Sequence, residues 1–173
     1  MKTLNPDVKF LLENVIMKKT YEDIITKTLT QIDENTEIKK INSDLVSAQN
    51  RNRLYWTNFP IKNDIIDKNI ILYDILEKNV DSSYLNQYLA SDKRCNLIYN
   101  KSYISCKINN LHKKCQTLMA GFGEGGNKPF ILCPITNKIR MLTEIEQERL
   151  QTFPDNYTKH HNITRNQRFK MLG

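Results

Sequence analysis

The first sixty residues alternate short apolar runs with polar stretches, a pattern that predicts strands and a helix. The run from Val8 to Leu12 predicts a buried strand, and Glu13 would follow at its tip. Thr20 then predicts a helix N-cap. Asp23 would be at the third helical position, where its carboxylate can accept a hydrogen bond from the backbone N–H of the cap residue. The helix would continue through positions at helical spacing: Ile24, Ile25, Thr28, Leu29 and Ile32.

Two further strands are predicted within residues 1–61. One covers Ile38 to Ile41. The other is the stretch "RLYWTNFP", from Arg53 to Pro60, which is rich in β-forming residues and stops at a proline. The succession of strand, helix, strand and strand predicts an α/β fold, of which this segment forms the trailing part of a sheet.

Residues 62–139 differ in composition and pattern: the apolar positions show poor periodicity, and many residues are polar. The stretch "ILYDILEKNV" (71–80) predicts a short helix, whereas "SYISCKI" (102–108) and "KPFILCPI" (128–135) predict short strands. The segment is therefore predicted to form a small, irregular, mostly-β lobe.

The last segment, residues 140–173, is predicted to be helical. The stretch "LTEIEQERLQTF" begins with a capping box formed by Thr143 and Glu146, and Pro154 would end that helix. The final stretch, "ITRNQRFKMLG", predicts the start of another helix that is truncated at Gly173.

Charge and composition narrow the class of protein. The net charge of +7 favours a polyanionic partner, nucleic acid first, although a generally Lys-rich composition would give the same excess of positive charge.

No apolar run approaches the roughly 20 residues that a membrane span needs. The N-terminal stretch lacks the apolar core of an export signal. We therefore expect a cytoplasmic protein with no membrane association.

The four cysteines, Cys95, Cys106, Cys115 and Cys133, form no C-x-x-C pair and are predicted to be free thiols in a reducing cell. Three of them could be combined with His112 as zinc ligands, but their spacings fit no standard zinc finger. No metal site is predicted.

Two stretches carry residue types that bind phosphates or bases. "GFGEGG" (Gly121 to Gly126) matches G-x-G-x-x-G, but no helix follows that could present its amides to a pyrophosphate, so a loop or hairpin tip is predicted. Gln49, Arg51 and Arg53 alternate, and in extended backbone their side chains would share a face. Such donors suit a phosphate or the edge of a base. The alternative is a solvated strand end.

Glu13 raises a separate question because of its place at the predicted strand tip. Open α/β sheets bind ligands outside the carboxyl ends of their strands. A partly desolvated glutamate there could hold or share a proton with a ligand. The alternative is an ordinary strand-terminal acid in water.

Four motifs follow one another along the chain: "ENV" at Glu13, "QNRNRLYW" from Gln49, "RMLTEIEQERLQTFPD" from Arg140 and "RFKMLG" from Arg168. In this order they resemble the motifs of DNA cytosine-5 methyltransferases, and the resemblance runs from about Leu4 to the last residue. It implies that residues 1–61 are the C-terminal part of a Rossmann-like class I methyltransferase domain. Residues 62–139 would then be the target-recognition lobe, and 140–173 the returning helical segment.

The resemblance also implies roles for individual residues. Enzymes of this family flip the target cytosine out of double-stranded DNA, attack C6 with a cysteine thiolate and transfer the methyl group of S-adenosylmethionine to C5. By resemblance, Glu13 supplies a proton or hydrogen bond to N3 of the base, and Arg53 reaches its O2. Arg51 matches an arginine close to the active-site cysteine and the flanking phosphate. These three are the predicted catalytic residues.

The predicted DNA-binding residues lie around the recognition lobe. Thr117 and Leu118 resemble a recurrent Thr-Leu pair of that lobe, and the loop with Gly121 and Gly123 would approach the major groove. Gln49, the first residue of the Q-x-R-x-R motif, completes the set. The target sequence is not readable, because specificity lies in the variable lobe.

Two parts of the family pattern have no counterpart in this sequence. No cysteine follows a proline, and no glycine-rich loop follows a first strand, so cofactor-binding residues are not assigned. We therefore expect the C-terminal part of a methyltransferase that is inactive until a separate polypeptide supplies the N-terminal half. The alternatives are a non-catalytic DNA-binding or regulatory module, and a truncated, decayed gene product. A restriction–modification or phage role is compatible with each.

Overall fold

The computed structural model of the chain describes residues 5–62, 64–100, 108–119 and 129–173. The predicted strand at 102–108, apart from its last residue, and the glycine-rich loop lie outside these residues. Two compact units are present. The sheet unit comprises Met1–Ser43 and Arg51–Ile66, and the helical unit comprises Asp44–Asn50 and Asp67–Gly173. None of the described helices combines the length and the apolar character that crossing a membrane requires.

The sheet unit contains one helix and three strands: β1 (Leu11–Val15), α1 (Lys19–Ile32), β2 (Glu37–Asn42) and β3 (Asn52–Thr57). The strand order is β1-β3-β2, and β3 is antiparallel to both neighbours. Strands β1 and β2 therefore run in the same direction, and α1 connects them. The indole Nε1 of Trp56 donates to Thr26 Oγ1 at 2.8 Å, which places α1 on the sheet face that carries Trp56. The predicted order of elements is confirmed.

The position of β1 differs from the prediction of a buried strand over Val8 to Leu12. The Phe10 N–H donates to Asn58 Oδ1 at 3.0 Å, and Asn58 Nδ2 donates to the Val8 carbonyl at 2.8 Å. A side chain thus occupies the backbone groups that a neighbouring strand would bind, and regular pairing begins only at Leu11. The strand continues to Val15, so Glu13 lies in its middle and not at its tip. Four of the five β1 residues are exposed, so the strand is not buried.

The start of α1 also differs from the prediction. The N-cap residue is Lys18, and no side chain caps the helix. The Lys18 carbonyl accepts from the backbone N–H groups of Tyr21 and Glu22, so helical bonding begins before Thr20 can act as a cap. Lys19 supports the first turn instead, because its Nζ lies 2.6 Å from Glu22 Oε1. The helix reaches Ile32, close to its predicted end.

The helical unit is built from short elements. They are a 3₁₀ turn (Leu72–Ile75), α2 (Ser82–Asn86), α3 (Asp92–Tyr99), β4 (Phe130–Leu132), β5 (Ile139–Met141), α4 (Glu144–Leu150) and α5 (Arg165–Leu172). Strands β4 and β5 form an antiparallel hairpin. The main core is made of buried side chains from both segments of the unit: Ala48, Leu72, Ile75, Leu76, Cys115, Leu118, Ile131, Leu142, Leu150 and Leu172.

The expectation that residues 62–139 are mostly β is wrong for the described part of that segment, where helical residues outnumber strand residues. The cause is local hydrogen bonding by polar side chains. Asp81 accepts from the Ser83 N–H at 2.7 Å, and Ser91 accepts from the Arg94 N–H at 3.4 Å. Each side chain satisfies a donor at a helix start, so a polar stretch without apolar periodicity still forms a short helix.

The predicted capping box of α4 is confirmed. The Glu146 N–H donates to Thr143 Oγ1 at 3.1 Å, and the Thr143 N–H donates to Glu146 Oε2 at 2.8 Å. The helix ends at Leu150, before Pro154, because Thr152 adopts a left-handed conformation with φ of 62°. The predicted terminal helix is also present, as α5.

A buried ion pair fixes β5 to α4. Arg140 Nη1 and Nη2 each lie 2.7 Å from a carboxylate oxygen of Glu146, and both side chains are almost wholly buried. Burial alone would lower the pKa of Arg140, but the bidentate partner outweighs burial and raises it. The guanidinium therefore stays charged inside the helical unit.

Candidate functional site

An arginine and a glutamate meet on one face of the three-stranded sheet. In the register of β1 and β3, Glu13 lies opposite Tyr55 and Val15 lies opposite Arg53, so Glu13 and Arg53 are diagonal neighbours on the same face. Arg53 Nε lies 2.8 Å from Glu13 Oε1. The glutamate side chain is 40% exposed and that of the arginine only 13%. The pair therefore presents an accessible carboxylate held by a mostly buried guanidinium.

Arg51 adds a second guanidinium to this cluster. It lies just before β3, where its backbone N–H donates to Asn42 Oδ1 at 2.9 Å and its carbonyl accepts from the Ser43 N–H at 3.1 Å. Burial and then the nearby charge of Arg53 lower the pKa of Arg51, and the charge of Glu13 partly offsets them. All three predicted catalytic residues thus lie close enough to interact electrostatically.

Tyr55 is a member of the cluster that the sequence analysis did not single out. It is directly opposite Glu13 in the β1–β3 register and contributes to the electrostatic environment of Arg51. The sequence could have identified Tyr55, because it lies two residues after Arg53 in the same strand and therefore shares its face. An aromatic ring beside a carboxylate and two guanidiniums suits contact with a flat heterocycle.

The neighbour of Glu13 has a local structural contact. Asn14 Oδ1 accepts from the backbone N–H of Val15 at 2.8 Å. This contact holds the backbone of β1 next to the glutamate.

The predicted DNA-binding residues that the structure describes belong to the helical unit. Gln49 forms a parallel bridge with Cys115, and Thr117 Oγ1 donates to the Asn50 carbonyl at 2.6 Å. Leu118 packs in the main core, and Gln49 is buried as well. DNA contact by either of these two side chains would need a change in exposure, and the assignment stays a prediction.

The glycine positions Gly121 and Gly123 lie outside the described residues. Of the four cysteines, Cys106 also lies outside them. Within the parts of the chain that the structure describes, no group of three or more His, Cys, Asp or Glu side chains is arranged to hold a metal ion.

Comparison with known proteins decides the family. A family model described as C-5 cytosine-specific DNA methylase matches residues 2–173. The chain belongs to the C-5 cytosine-specific DNA methylase family. The match confirms the resemblance drawn from the ordered motifs. A search among curated proteins gave no match.

Three solved methyltransferase structures have a similar fold. The S. pombe Dnmt2 methyltransferase is 17% identical with a TM-score of 0.70, and the alignment covers 95% of this chain and 59% of that one. The Entamoeba histolytica methyltransferase EhMeth is 20% identical with a TM-score of 0.64, covering 95% and 57%. A Spodoptera frugiperda DNMT2 mutant is 19% identical with a TM-score of 0.63, covering 98% and 63%. This chain therefore spans less than two thirds of each of these relatives.

Proposed function

We propose that this chain is the base-gripping and DNA-recognising part of a DNA cytosine-5 methyltransferase. The enzyme would transfer a methyl group to C5 of a cytosine flipped out of double-stranded DNA, and it would do so only when an N-terminal half completes it. One observation carries the proposal: Glu13 and Arg53, which lie 40 positions apart in the sequence, form a 2.8 Å pair on an accessible sheet face.

The chemistry of the pair suits the polar edge of cytosine. Neutral cytosine is a poor electrophile, so attack at C6 needs a proton or hydrogen bond at N3, which Glu13 would provide. Arg53 uses Nε on Glu13 and donates from Nη1 to the Asn52 carbonyl at 2.8 Å. Its remaining amino group, Nη2, would donate to O2 of the base. Because its Nε and Nη1 are held, the Arg53 fork would be oriented before the base arrives.

Arg51 would bind a negatively charged group and would not contact the base directly. Its pKa is lowered by burial and by Arg53, which indicates two positive charges in close proximity. A phosphate beside the flipped nucleotide would relieve this repulsion. Arg51 is therefore proposed to bind the flanking phosphate.

The described residues do not fit a site for the methyl donor of the family, S-adenosylmethionine. Its glycine-rich loop has no counterpart there, since Gly173 is the one glycine in the described ranges. The sequence also contains no Pro-Cys pair for the nucleophile. Both functions are assigned to the complementing half, and the steps proposed for this chain are confined to gripping the base and binding DNA.

The exposed surface around β1 supports the proposal that an N-terminal half binds to this chain. Among the described residues β1 pairs with β3 alone, so its other edge offers unpaired backbone groups. Leu11 is 55% exposed, and Val15 and Ile16 are exposed as well. On α1, Tyr21, Ile24 and Ile32 are also exposed. A strand of the complementing half could extend the sheet at this edge and cover the apolar side chains.

Reconstitution tests the proposal. The chain would be produced alone and together with a second polypeptide that carries the glycine-rich loop and the Pro-Cys pair of the family, and transfer of labelled methyl groups to duplex DNA would be measured. We expect transfer by the pair and none by either part. Activity of this chain alone would contradict the proposal, as would an inactive pair that forms a stable complex and binds DNA.

A non-catalytic DNA-binding module is the second candidate, and the net charge of +7 favours it. It predicts duplex binding by this chain alone, with an affinity that falls steeply as salt increases from about 50 to about 200 mM. Binding of that kind, together with an inactive reconstituted pair, would favour the module. Absence of binding at low salt would exclude it.

A further inference from the structure

Two aromatic rings lie parallel and exposed on residues 152–162, the ring segment, which follows α4. The centroids of the Phe153 and Tyr157 rings are 4.4 Å apart, and the ring planes differ by only 2°. Phe153 is 39% exposed and Tyr157 is 63% exposed. Aromatic side chains stabilise a protein mainly when they are buried in its core. These two rings stack on each other at the surface instead, so they are accessible to another molecule.

A buried carboxylate fixes the backbone on both sides of Tyr157. Glu148, which has no exposed surface, accepts from the Asn156 N–H at 2.6 Å and from the Thr158 N–H at 2.8 Å. The N–H of Tyr157 donates to the Pro154 carbonyl at 3.1 Å. Three consecutive backbone N–H groups thus have partners, and the exposed tyrosine extends from a fixed stretch of backbone.

The first half of the ring segment is fixed as well. Arg149 binds both carboxylate oxygens of Asp155, at 2.8 and 2.7 Å, and thereby offsets the charge of the only acidic residue in the segment. Thr152 and Asn156 have φ angles of 62° and 64°, a left-handed conformation that is unfavourable, above all for a β-branched residue. Backbone of this kind is concentrated at functional sites. The ring pair is therefore held in place before a ligand arrives, which lowers the entropic cost of binding.

The side chains that follow Tyr157 are basic or heteroaromatic. Lys159 is exposed and forms no ion pair with the residues that the structure describes. His160 and His161 are also exposed, and the centroids of their rings are 4.1 Å apart. Positions 153–161 thus present four flat rings and one unpaired cation at the surface.

Flat rings beside a cation favour a nucleic acid as the ligand. Nucleobases stack on exposed aromatic rings, and a positively charged side chain nearby binds the phosphate backbone. The core of a protein–protein interface is instead apolar and depleted of charged residues. Beyond Pro154 the exposed residues of the ring segment other than Tyr157 are polar or charged. Because the bases inside a duplex are already stacked on each other, the ligand must contain an unpaired base.

We propose that Tyr157, backed by Phe153, is a stacking platform for an unpaired base of a single-stranded nucleic acid, and that Lys159 binds an adjoining phosphate. Phe153 covers one face of the Tyr157 ring, and the base would stack on the other face. Since every base has a flat face, no sequence preference is expected. The inference does not depend on the proposed methyl transfer.

The test is binding of the full chain to fluorescein-labelled oligodeoxythymidylate of about 12 nucleotides, measured by fluorescence anisotropy at about 50 mM salt. We expect Tyr157→Ala to weaken binding about tenfold, and Tyr157→Phe, which keeps the ring, to stay within about twofold of the native chain. Tyr99→Ala, at an exposed tyrosine of α3, is the matched control and should bind like the native chain. Absence of binding by the native chain would overturn the proposal, as would equal affinities of Tyr157→Ala and Tyr99→Ala.

A second variant tests the phosphate contact. Each phosphate contact contributes about 0.7 to the slope of log affinity against log salt for a single strand. We expect Lys159→Gln to reduce the slope by about this amount, whereas Lys93→Gln, at an exposed lysine of α3, should leave it unchanged. An equal slope in the two variants would refute the role of Lys159.

Other ligands distinguish the source of the base. Oligouridylate should bind with the same sensitivity to Tyr157→Ala, and a loss confined to either the DNA or the RNA strand would identify that strand as the ligand. Binding of a long DNA duplex should not change in Tyr157→Ala, and an equal loss with the duplex would contradict the need for an unpaired base. Self-association that Tyr157→Ala abolishes, with oligonucleotide binding intact, would overturn the proposal and assign the rings to a protein contact.

Discussion

Arg53 Nε lies 2.8 Å from Glu13 Oε1, across two antiparallel strands whose register makes these residues diagonal neighbours. The arginine is the more buried partner, so it fixes the position of a carboxylate that remains accessible. A partly exposed pair of this kind contributes only about 0–1 kcal/mol to stability. In the proposed function its value lies in the fixed geometry of a carboxylate and a guanidinium nitrogen, which would match adjacent polar atoms of a pyrimidine edge.

The first prediction concerns the shape of the Arg53 side chain. Arg53→Lys keeps the charge but removes the planar fork that binds Glu13 and leaves an amino group for the base. We expect methyl transfer by the reconstituted enzyme to fall by about 100-fold, with little change in melting temperature. Arg94→Lys, the same change on α3, is the matched control. An Arg53→Lys enzyme with more than about half of the native rate would contradict the assigned role.

The second prediction concerns the buried pair in the helical unit. Glu146→Gln leaves the Arg140 guanidinium buried without its carboxylate, and the uncompensated charge should reduce the free energy of unfolding by about 3 kcal/mol. Urea denaturation measures this loss. Glu34→Gln, at an exposed site in the sheet unit, should change stability by less than about 0.5 kcal/mol. Equal stability of the two variants would show that Glu146 does not anchor α4.

The third prediction is a dependence of stability on pH. Burial opposes ionisation of Glu148, but hydrogen bonds from Thr158 and Arg168 outweigh it and lower its pKa below the ordinary 4.5. The folded state therefore favours the ionised carboxylate. The stability that it contributes is fully present above about pH 4.5 and is lost as the pH falls through the lowered pKa.

Glu148→Gln provides the measurement for this effect. We expect the variant to be about 3 kcal/mol less stable than the native chain at about pH 7. The difference should shrink as the pH falls through the lowered pKa, because the native carboxylate then becomes protonated. A difference that stays constant while the native carboxylate is titrated would rule out the ionisation of Glu148 as its source.

The fourth prediction concerns the open edge of the sheet. We expect the isolated chain to self-associate through β1 and its exposed apolar residues. Leu11→Lys places a charge on that edge and should shift the chain toward monomer in analytical ultracentrifugation. Ile66→Lys, at another exposed apolar position, is the control. A native chain that is monomeric at about 100 μM would argue against an uncovered surface at β1.

Most of the secondary structure could be predicted because its signals are local. The capping box at Thr143 and Glu146, the β-rich stretch around Trp56 and the helical spacing after Thr20 each depend on residues a few positions apart. The start of β1 could not be predicted in this way. It depends on Asn58, which binds Val8 and Phe10 from nearly fifty residues away.

The candidate site was predictable by a different route. Glu13, Arg51 and Arg53 came from the order of family motifs, whereas the expected strand tip was the wrong geometric reason for choosing Glu13. Tyr55 was missed because it belongs to no quoted motif, although strand alternation puts it on the same face. The contact between Arg140 and Glu146 could not be predicted from the sequence, because it forms only when a hairpin and a helix pack together.

The most direct test of the central claim is the rate of methyl transfer by the reconstituted enzyme with Glu13→Gln. Gln retains the size of the side chain but cannot supply the proton at N3, so we expect a loss of about 100-fold or more. Glu37→Gln, an exposed glutamate on the same sheet, should keep the native rate. Full activity of Glu13→Gln would contradict the claim that this carboxylate, held by Arg53, grips the flipped base.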